Sequence, residues 1–573
     1  MKKSHALSCV LAVSIVVVLS GQSARPTPPV SADYVSPGPV ERFAGPLNAA
    51  LDGLRAPALA AHIAFLSAPA LDGRALGGRG VDAAAEYIAA SLALAGIPPM
   101  HPAASTGITA APYFHPVPLR EISRPSGQVT IETRRGEGVD ARTFLAGVDC
   151  LFPELPPESF TAQVVWAGYG IREKSPARDD YRGLDVQGRI VAIFAGLPPA
   201  AEWQTPELID RYNSESGRQR FAAKLDLAAS LGARAVLAIE GDDLTRRLAS
   251  NASAPGATFF VPFDDIARTG PAPQSDTRVA SNLAANGRAT TPVVRVSARV
   301  GDAMLAASGL TSASARTSEP RVLPGVTATV RLTGDERLVV GRNVLGVIRG
   351  TDPTLRDEAV VMGAHMDHLG RSGEVYYPGA DDNASGVAAL IEIAKAFASA
   401  PTRPKRTMVF AFWTGEEEGE LGSGYYVRHP AWPLDRTSVY LNLDMIGHPW
   451  TAEEVRKLVT DTHLEHGAEF LASVKPADFI ELGVADSAPG LAPLLMRAAR
   501  GTGLALHLDR TDGRNGGSDY REFARRGLPF VRFFGNYFDG YHEPTDTADK
   551  LDAGQVLKMA RLAFASAWLL ADR

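Results

Sequence analysis

The sequence predicts an α/β protein in which one domain is interrupted by a second unit. Three observations predict it. Short apolar runs alternate with stretches of helical periodicity along most of the chain. The runs Ala359-Val360-Val361-Met362, Met408-Val409-Phe410-Ala411-Phe412 and Val439-Tyr440-Leu441-Asn442-Leu443 are each followed closely by acids or histidine. Strand and helix patterns stand on both sides of a segment near 161–300, which therefore reads as an insertion. With 573 residues the chain is too long for one ordinary core. The boundaries read from these patterns are 47–158 and 313–573 for the divided domain and 159–312 for the inserted unit.

Taken in order, the chain opens on Met1-Lys2-Lys3, an apolar run from Ala6 to Leu19, and the small residues Ser20, Gly21, Ser23 and Ala24. This is the layout of a signal peptide over residues 1–24. The run is shorter than the ~20 apolar residues of a membrane span. A secreted or periplasmic protein with no stable membrane anchor is therefore expected. Cys9 precedes the end of the apolar run, which argues against lipid attachment there. If it leaves with the signal, Cys150 is the one remaining thiol, and the mature chain folds without disulfides. Gln22 to Val40 is rich in Pro and Ser and reads as a flexible leader. Composition is that of a globular protein, with 45% hydrophobic and 21% charged residues. A net charge of −6 gives no electrostatic footprint for nucleic acid.

Leu47 to Gly96 reads as mostly helical, with Val81, Ala85, Ile88 and Leu92 on one face. Within it, Leu71 to Gly80 is a glycine-rich loop whose spacing matches neither a P-loop nor a dinucleotide fingerprint. It reads as a tight loop near the catalytic face. Tyr113–Ile122 and Gln128–Thr133 are predicted strands. In the inserted unit, Ala162–Gly170, Gly188–Phe194, Ala235–Ile239 and Val293–Val296 are predicted strands and Phe221–Leu231 a helix. Asp242–Thr291 is poor in pattern. Arg342–Gly350 returns as a strand to the central stretch. A helix follows with Val387, Leu390, Ile391, Ala394 and Phe397 on one face. Glu453–Leu458 and Leu491–Arg500 read as helices, Pro529–Phe534 as the last strong strand, and a closing helix runs from Ala553. No internal repeat is present.

Four clusters carry chemistry. They are His365-Met366-Asp367, Gly379 to Gly386, Gly415-Glu416-Glu417-Glu418-Gly419, and Asp444. Three follow predicted buried strands, and ligands bind at the carboxyl ends of strands in open α/β sheets. Buried charges must be paired or must coordinate something. Five residues can ligate metal: His365, Asp382, Glu417, Asp444 and His542. Mixed imidazole and carboxylate suits zinc, with manganese and cobalt also open. Asp382 is the natural bridge between two ions. Glu416, beside a ligand, can act as general base, and Asp367 can fix the tautomer of His365 by accepting its hydrogen bond.

These pieces, with Tyr541-His542-Glu543-Pro544-Thr545-Asp546-Thr547, resemble the M28 zinc peptidases, which include bacterial leucyl aminopeptidases and glutamate carboxypeptidases. The resemblance implies a three-layer, mixed-sheet zinc-exopeptidase domain. It implies two zinc ions bridged by Asp382, one held by His365 and Asp444 and the other by Glu417 and His542. It also implies a cis peptide bond between Asp382 and Asn383, and a peptide substrate. The inserted unit resembles a β-rich protease-associated domain through Gly168-Tyr169-Gly170-Ile171, Asp179-Asp180-Tyr181, Gly183 to Val186, Gly188 to Val191 and Gly232 to Leu237. Two departures stand out. Tyr520, in Gly516-Gly517-Ser518-Asp519-Tyr520, occupies a place where many relatives have histidine. Glu418 and Glu420 leave a one-residue ambiguity between base and ligand in the third cluster.

Taken singly, each cluster has a plainer reading. Three glutamates at a strand end are most often solvated charge, and one histidine such as His542 is more often surface or core than ligand. That reading must hold at five places together to remove the metal site. Elsewhere the plainer reading wins: His463 and His466 lie in a polar stretch, His368 reads as a neighbour of the first cluster or as surface, and Ser423 lacks a nucleophile elbow. The expected activity is that of an aminopeptidase acting on N-terminal peptide bonds. The alternatives are a carboxypeptidase or dipeptidase, in which Arg514, Arg521 or Arg532 would hold a terminal carboxylate, and a non-catalytic binding protein. A one-metal glutaminyl cyclase fits less well.

Overall fold

The computed structural model describes residues 34–35, 40–43, 45–100, 111–152, 158–213, 222–240, 244, 258–263, 292–462 and 467–573. The signal peptide, most of the 22–40 leader, most of 242–291 and the His463/His466 pair lie outside the described residues.

The strands that matter are, in chain order, β1 (Phe114–Arg135), β2 (Glu158–Trp166), β3 (Ile190–Phe194), β4 (Ala235–Ile239), β5 (Val293–Val296) and β6 (Arg321–Ile348). They continue with β7 (Ala359–His365), β8 (Thr407–Trp413), β9 (Thr437–Leu443), β10 (Phe479–Ala485), β11 (Ala505–Thr511) and β12 (Phe530–Phe534). The principal helices are α1 (Ala56–Leu66), α2 (Arg79–Leu94), α3 (Gly386–Ser399), α4 (Ala492–Thr502) and α5 (Ala553–Asp572).

All twelve strands belong to one mixed sheet, in the order β11-β10-β12-β9-β7-β8-β6-β2-β3-β4-β5 with β1 beside β6. The segment read as an insertion thus continues the same hydrogen-bonded sheet through β6. In the middle, β12, β9, β7 and β8 run parallel. Alternation along them divides two cores. Val360, Met362, Phe410 and Phe412 face a helical layer of α1, α3 and α5, while Val361, Val409, Ala411 and Trp413 face the opposite layer with Phe523 and Tyr426. The result is three layers, helix on both faces of a sheet.

Several elements differ from the sequence-based expectation. The two strands predicted at 113–133 are one 22-residue strand, β1. It pairs along nearly its whole length with β6, which runs from Arg321 rather than Arg342. The added part of β6 is rich in charged and polar residues, and long-range pairing holds it rather than an apolar run. Strands β10 and β11 were not predicted. Glu481 and Gly483 break the apolar pattern of the first, and His507 and Asp509 that of the second. Within the pattern-poor excursion, Phe259–Pro262 forms a strand against β1. Cys150 is a buried free thiol.

Candidate metal centre

The chain passes from β7 through α3 to β8 on one side, then crosses back over β7 to β9 on the other. The strand ends at that reversal form the crevice where open α/β sheets bind ligands. His365 is the last residue of β7, Glu416 and Glu417 follow β8, Asp444 follows β9, and the loop after β12 brings His542. Asp382 comes from the turn that opens α3, where the Asp382–Asn383 bond is cis as expected. That turn starts at Gly379, with φ 61°. A Cβ there would stand 2.3 Å from the Asp382 carbonyl and 2.5 Å from the His368 ring, so only glycine fits.

All seven site residues named from the sequence come together. His365 Nε2 lies 3.3 Å from Asp382 Oδ1 and 3.3 Å from Asp444 Oδ1. His542 Nε2 lies 3.2 Å from Asp382 Oδ2 and 3.1 Å from Glu417 Oε2. Asp382 therefore offers one oxygen to each group, as a bridging carboxylate does. Zinc bonds to nitrogen and oxygen are about 2.0–2.2 Å, which puts neighbouring tetrahedral donors about 3.3–3.5 Å apart. The donor set and its spacing fit metal. Glu416 Oε2 lies 4.0 Å from His365 Nε2, and His365, Glu416 and Glu417 form a further group of donors close enough to hold an ion. Both oxygens of Glu417 face imidazoles, and Glu420 turns away to pair with Arg521.

The electrostatics follow from burial and acid crowding. Asp382 is nearly fully buried, which alone would push its carboxyl up, but hydrogen bonds from His365 and His542 hold it well below the ordinary range. Glu417 is likewise held low: burial and the Asp382 charge oppose, and the His368 and His542 hydrogen bonds prevail. Glu416 moves the other way. Burial pushes it well above the usual carboxylate value, and the charges of Glu417, Asp444 and Asp519 add to this against His365.

Asp367 differs in its contacts from the expectation. His365 Nδ1 meets the main-chain carbonyl of Asp367 at 3.2 Å, whereas its nearer carboxylate oxygen is at 3.9 Å. That carboxylate accepts the backbone N–H groups of Glu416 (3.2 Å) and Glu417 (3.3 Å). The loop N–H groups are the stronger claim on it because they would otherwise be buried without partners.

His368 is buried, and its Nδ1 lies 2.7 Å from Glu417 Oε1, so of its two readings the neighbour of the first cluster holds and the surface one does not. Other contributors were missed in the sequence. Asp546 accepts the N–H groups of Asp381 (2.9 Å) and Asp382 (3.1 Å). Ser518 donates to Asp444 Oδ2 at 2.6 Å. It ends a relay in which Trp413 donates to Tyr440, Tyr440 to Asn442, and Asn442 to Ser518. The Tyr-His-Glu-Pro-Thr-Asp stretch could have pointed to Asp546; nothing in the pattern singles out Ser518. Tyr520 packs against Phe530, with its ring near Arg532.

Residues 343–567 match the model of peptidase family M28. Over 580 aligned residues, 96% of this chain and 91% of the relative, the chain is 26% identical to a protein described as a probable lipoprotein aminopeptidase, LpqL, of Mycobacterium tuberculosis. It is 40% identical to a probable leucine aminopeptidase 2 of Aspergillus oryzae over 108 residues, 19% of this chain and 20% of that relative. Among solved structures, an aminopeptidase from Aneurinibacillus sp. strain AM-1 aligns with 91% of this chain and 95% of its own, at 20% identity and a TM-score of 0.47. The matched segment contains five of the five candidate ligands and both Glu416 and Asp367, since all lie between 365 and 542. Residues 343–567 are thus similar to peptidase family M28.

Proposed function

We propose that this protein is an exported aminopeptidase that removes N-terminal residues from peptides at a two-zinc site. The observation that carries the reading is the split use of Asp382. One oxygen faces the His365–Asp444 group and the other the His542–Glu417 group, with donor separations of 3.1–3.3 Å. His365 and Asp444 would hold one ion and Glu417 and His542 the other. Zinc held there would polarise a scissile carbonyl and lower the pKa of a bound water.

The chain's own groups do the rest. Glu416, outside the ligand set and raised by burial, takes a proton from the attacking water and returns it to the departing amine. Asp367 fixes the Glu416–Glu417 main chain, Ser518 fixes Asp444, and Asp546 fixes the turn carrying Asp382. Four carboxylates, Asp382, Glu416, Glu417 and Asp444, balance two divalent ions, so the choice of terminus falls to local groups. A carboxypeptidase would need a cation turned to the metals. Arg521 pairs with Glu420 and Glu522, and the Arg532 guanidinium lies over the rings of Tyr520 and Phe534. The similarity to a protein described as an aminopeptidase over nearly the full chain points the same way. Export rests on the N-terminal sequence, and the protease-associated character of 159–312 on its motifs.

The test is turnover of matched peptides by the zinc-loaded protein, with free or acetylated N-termini and free or amidated C-termini. Cleavage lost on acetylation alone is the expected result. Cleavage lost on amidation alone would make the protein a carboxypeptidase. No cleavage of any peptide would overturn the substrate class.

A further inference from the structure

The glycine-rich loop Leu71 to Gly80, which the sequence left without a role, reaches the metal centre. It lies more than 260 residues before the segment matched by the M28 model. Arg74, at its middle, is 1% exposed. A buried guanidinium normally sits against a carboxylate. Among the described residues this one hydrogen-bonds only main-chain carbonyls. Its Nε donates to Met366 at 2.9 Å, one terminal nitrogen to Leu66 and to Pro378 (2.7 Å), and the other to Gly379 at 2.8 Å. Met366 lies between His365 and Asp367. Pro378 and Gly379 lead into Asp382. One rigid, planar fork therefore ties together the two loops that carry the first ion's histidine and the bridging aspartate.

The main chain of the same loop repeats the tie. The Arg74 carbonyl accepts the N–H of His368 at 3.2 Å, and the Gly73 carbonyl accepts that of Gly370 at 2.9 Å. A Cβ on Gly73 would stand 2.2 Å from the Gly370 carbonyl, so the approach requires glycine. Arg74 itself holds φ 54°, in the left-handed region that side chains rarely adopt. A backbone in that region persists only where its surroundings over-determine it, as four carbonyl partners do here.

We propose that Arg74 is a positioning residue of the metal centre: its guanidinium holds the His365 and Asp382 loops at ligating separation before any ion binds. The inference rests on the metal-site reading above. It differs in sign from a purely electrostatic role. A buried cation near Asp382, Asp367 and Glu417 repels divalent ions, so its removal would tighten zinc binding if charge were all it supplied. Loss of preorganisation weakens binding instead.

The test measures zinc affinity of the full chain by competition with a chromophoric chelator, for wild type, Arg74→Gln, Arg74→Lys and Arg406→Gln. Lysine keeps the charge, but a single nitrogen cannot span the carbonyls of Met366 and Gly379 in the same fork geometry. Both Arg74 variants are expected to raise the zinc dissociation constant about tenfold or more, the scale of groups that orient ligands. Arg406, paired with Glu358 at the far end of the strands, serves as a control for general destabilisation and should leave affinity unchanged. In parallel, hydrogen exchange on metal-stripped wild type should find the His368 and Gly370 amides still protected. Zinc affinity unchanged or tightened in a folded Arg74 variant would overturn the proposal. So would loss of that protection on removing zinc from wild type, which needs no variant to fold. A wild type that binds no zinc would overturn the metal centre, and the exchange pattern would still decide whether the loop tie stands without an ion.

Discussion

The carboxylate of Asp367 accepts the backbone N–H of Glu416 at 3.2 Å. With the same group also accepting from Glu417 at 3.3 Å, one side chain at the end of β7 sets the start of the loop after β8. It fixes the proposed ligand Glu417 and the proposed base Glu416 together, while its own main-chain carbonyl receives His365. Asp367→Ala should therefore lower both zinc affinity and kcat by about 10–100-fold, the range for groups that orient ligands. Zinc titration alongside steady-state kinetics checks this. A loss in kcat with zinc affinity intact would confine Asp367 to Glu416.

Glu416 has the opposite profile. Its Oε2 lies 4.0 Å from His365 Nε2, farther than the 3.1–3.3 Å that separate the proposed ligands. Glu416→Gln keeps the shape and removes the basic oxygen. Metal content should stay at the wild-type level while kcat falls by about 10²–10⁴-fold, the usual contribution of a general base. Metal analysis of the purified variant and its kcat decide the point. Full activity with full metal would remove Glu416 from the reaction.

Ser518 reaches Asp444 Oδ2 at 2.6 Å, leaving Oδ1 toward His365. Ser518→Ala frees that oxygen to rotate and strands the buried amide of Asn442, which donates to Ser518. A buried donor left without a partner costs about 1–3 kcal/mol. The variant should lose about 10–100-fold in zinc affinity, chiefly at the His365–Asp444 position. Stoichiometric titration should then resolve one weakened site and one near wild type. Two sites weakened equally would mean that Asp444 does not depend on Ser518.

The readable part of this site is the part that ends strands. His365, Glu417 and Asp444 each come after a mostly apolar run, broken only by Asn442 before Asp444, and an acid or imidazole at the end of a buried strand stands out from the residues around it. The supporting groups lacked that contrast. Arg74 sits in a glycine-rich loop 292 residues from Met366, and Ser518 lies 74 residues from Asp444. Loop polar residues carry no period, so their partners emerge only from the fold. His368 kept two readings for the same reason: a histidine after an aspartate at a strand end is a neighbour of the site or surface until the fold brings Glu417 to it. In the fold, the fully buried parallel strands were legible, whereas the charged first part of β6 and the interrupted β10 and β11 were not. Their strand character comes from pairing with neighbours rather than from local pattern.

The acid cluster also predicts how stability of the metal-stripped protein depends on pH. Asp519 is pushed up to about 8, by burial first and then by the charges of Asp444 and Asp367, against His365 and Ser423. Burial likewise pushes Asp367 and Asp546 each up to about 6. His542 rises to about 10: burial opposes, but hydrogen bonds to Asp382 and Glu417 prevail. Each group binds its proton more tightly folded than unfolded. Its stabilisation is present below the unfolded pKa, about 4 for the aspartates and about 6.5 for histidine, and is lost as pH rises through the folded value. Asp382 and Glu417, held low, act in the other direction, but their contribution is complete above about pH 5 and does not vary further. The melting temperature of the chelator-treated protein should therefore fall steadily from about pH 5 to about pH 9. Bound zinc favours the charged carboxylates and neutral imidazoles in place of those protons, so the loaded protein should gain most from the metal at the alkaline end. Differential scanning calorimetry of both forms across that range checks the sign. A metal-free melting temperature that rose toward pH 9 would mean that these groups do not face one another in the absence of the ion.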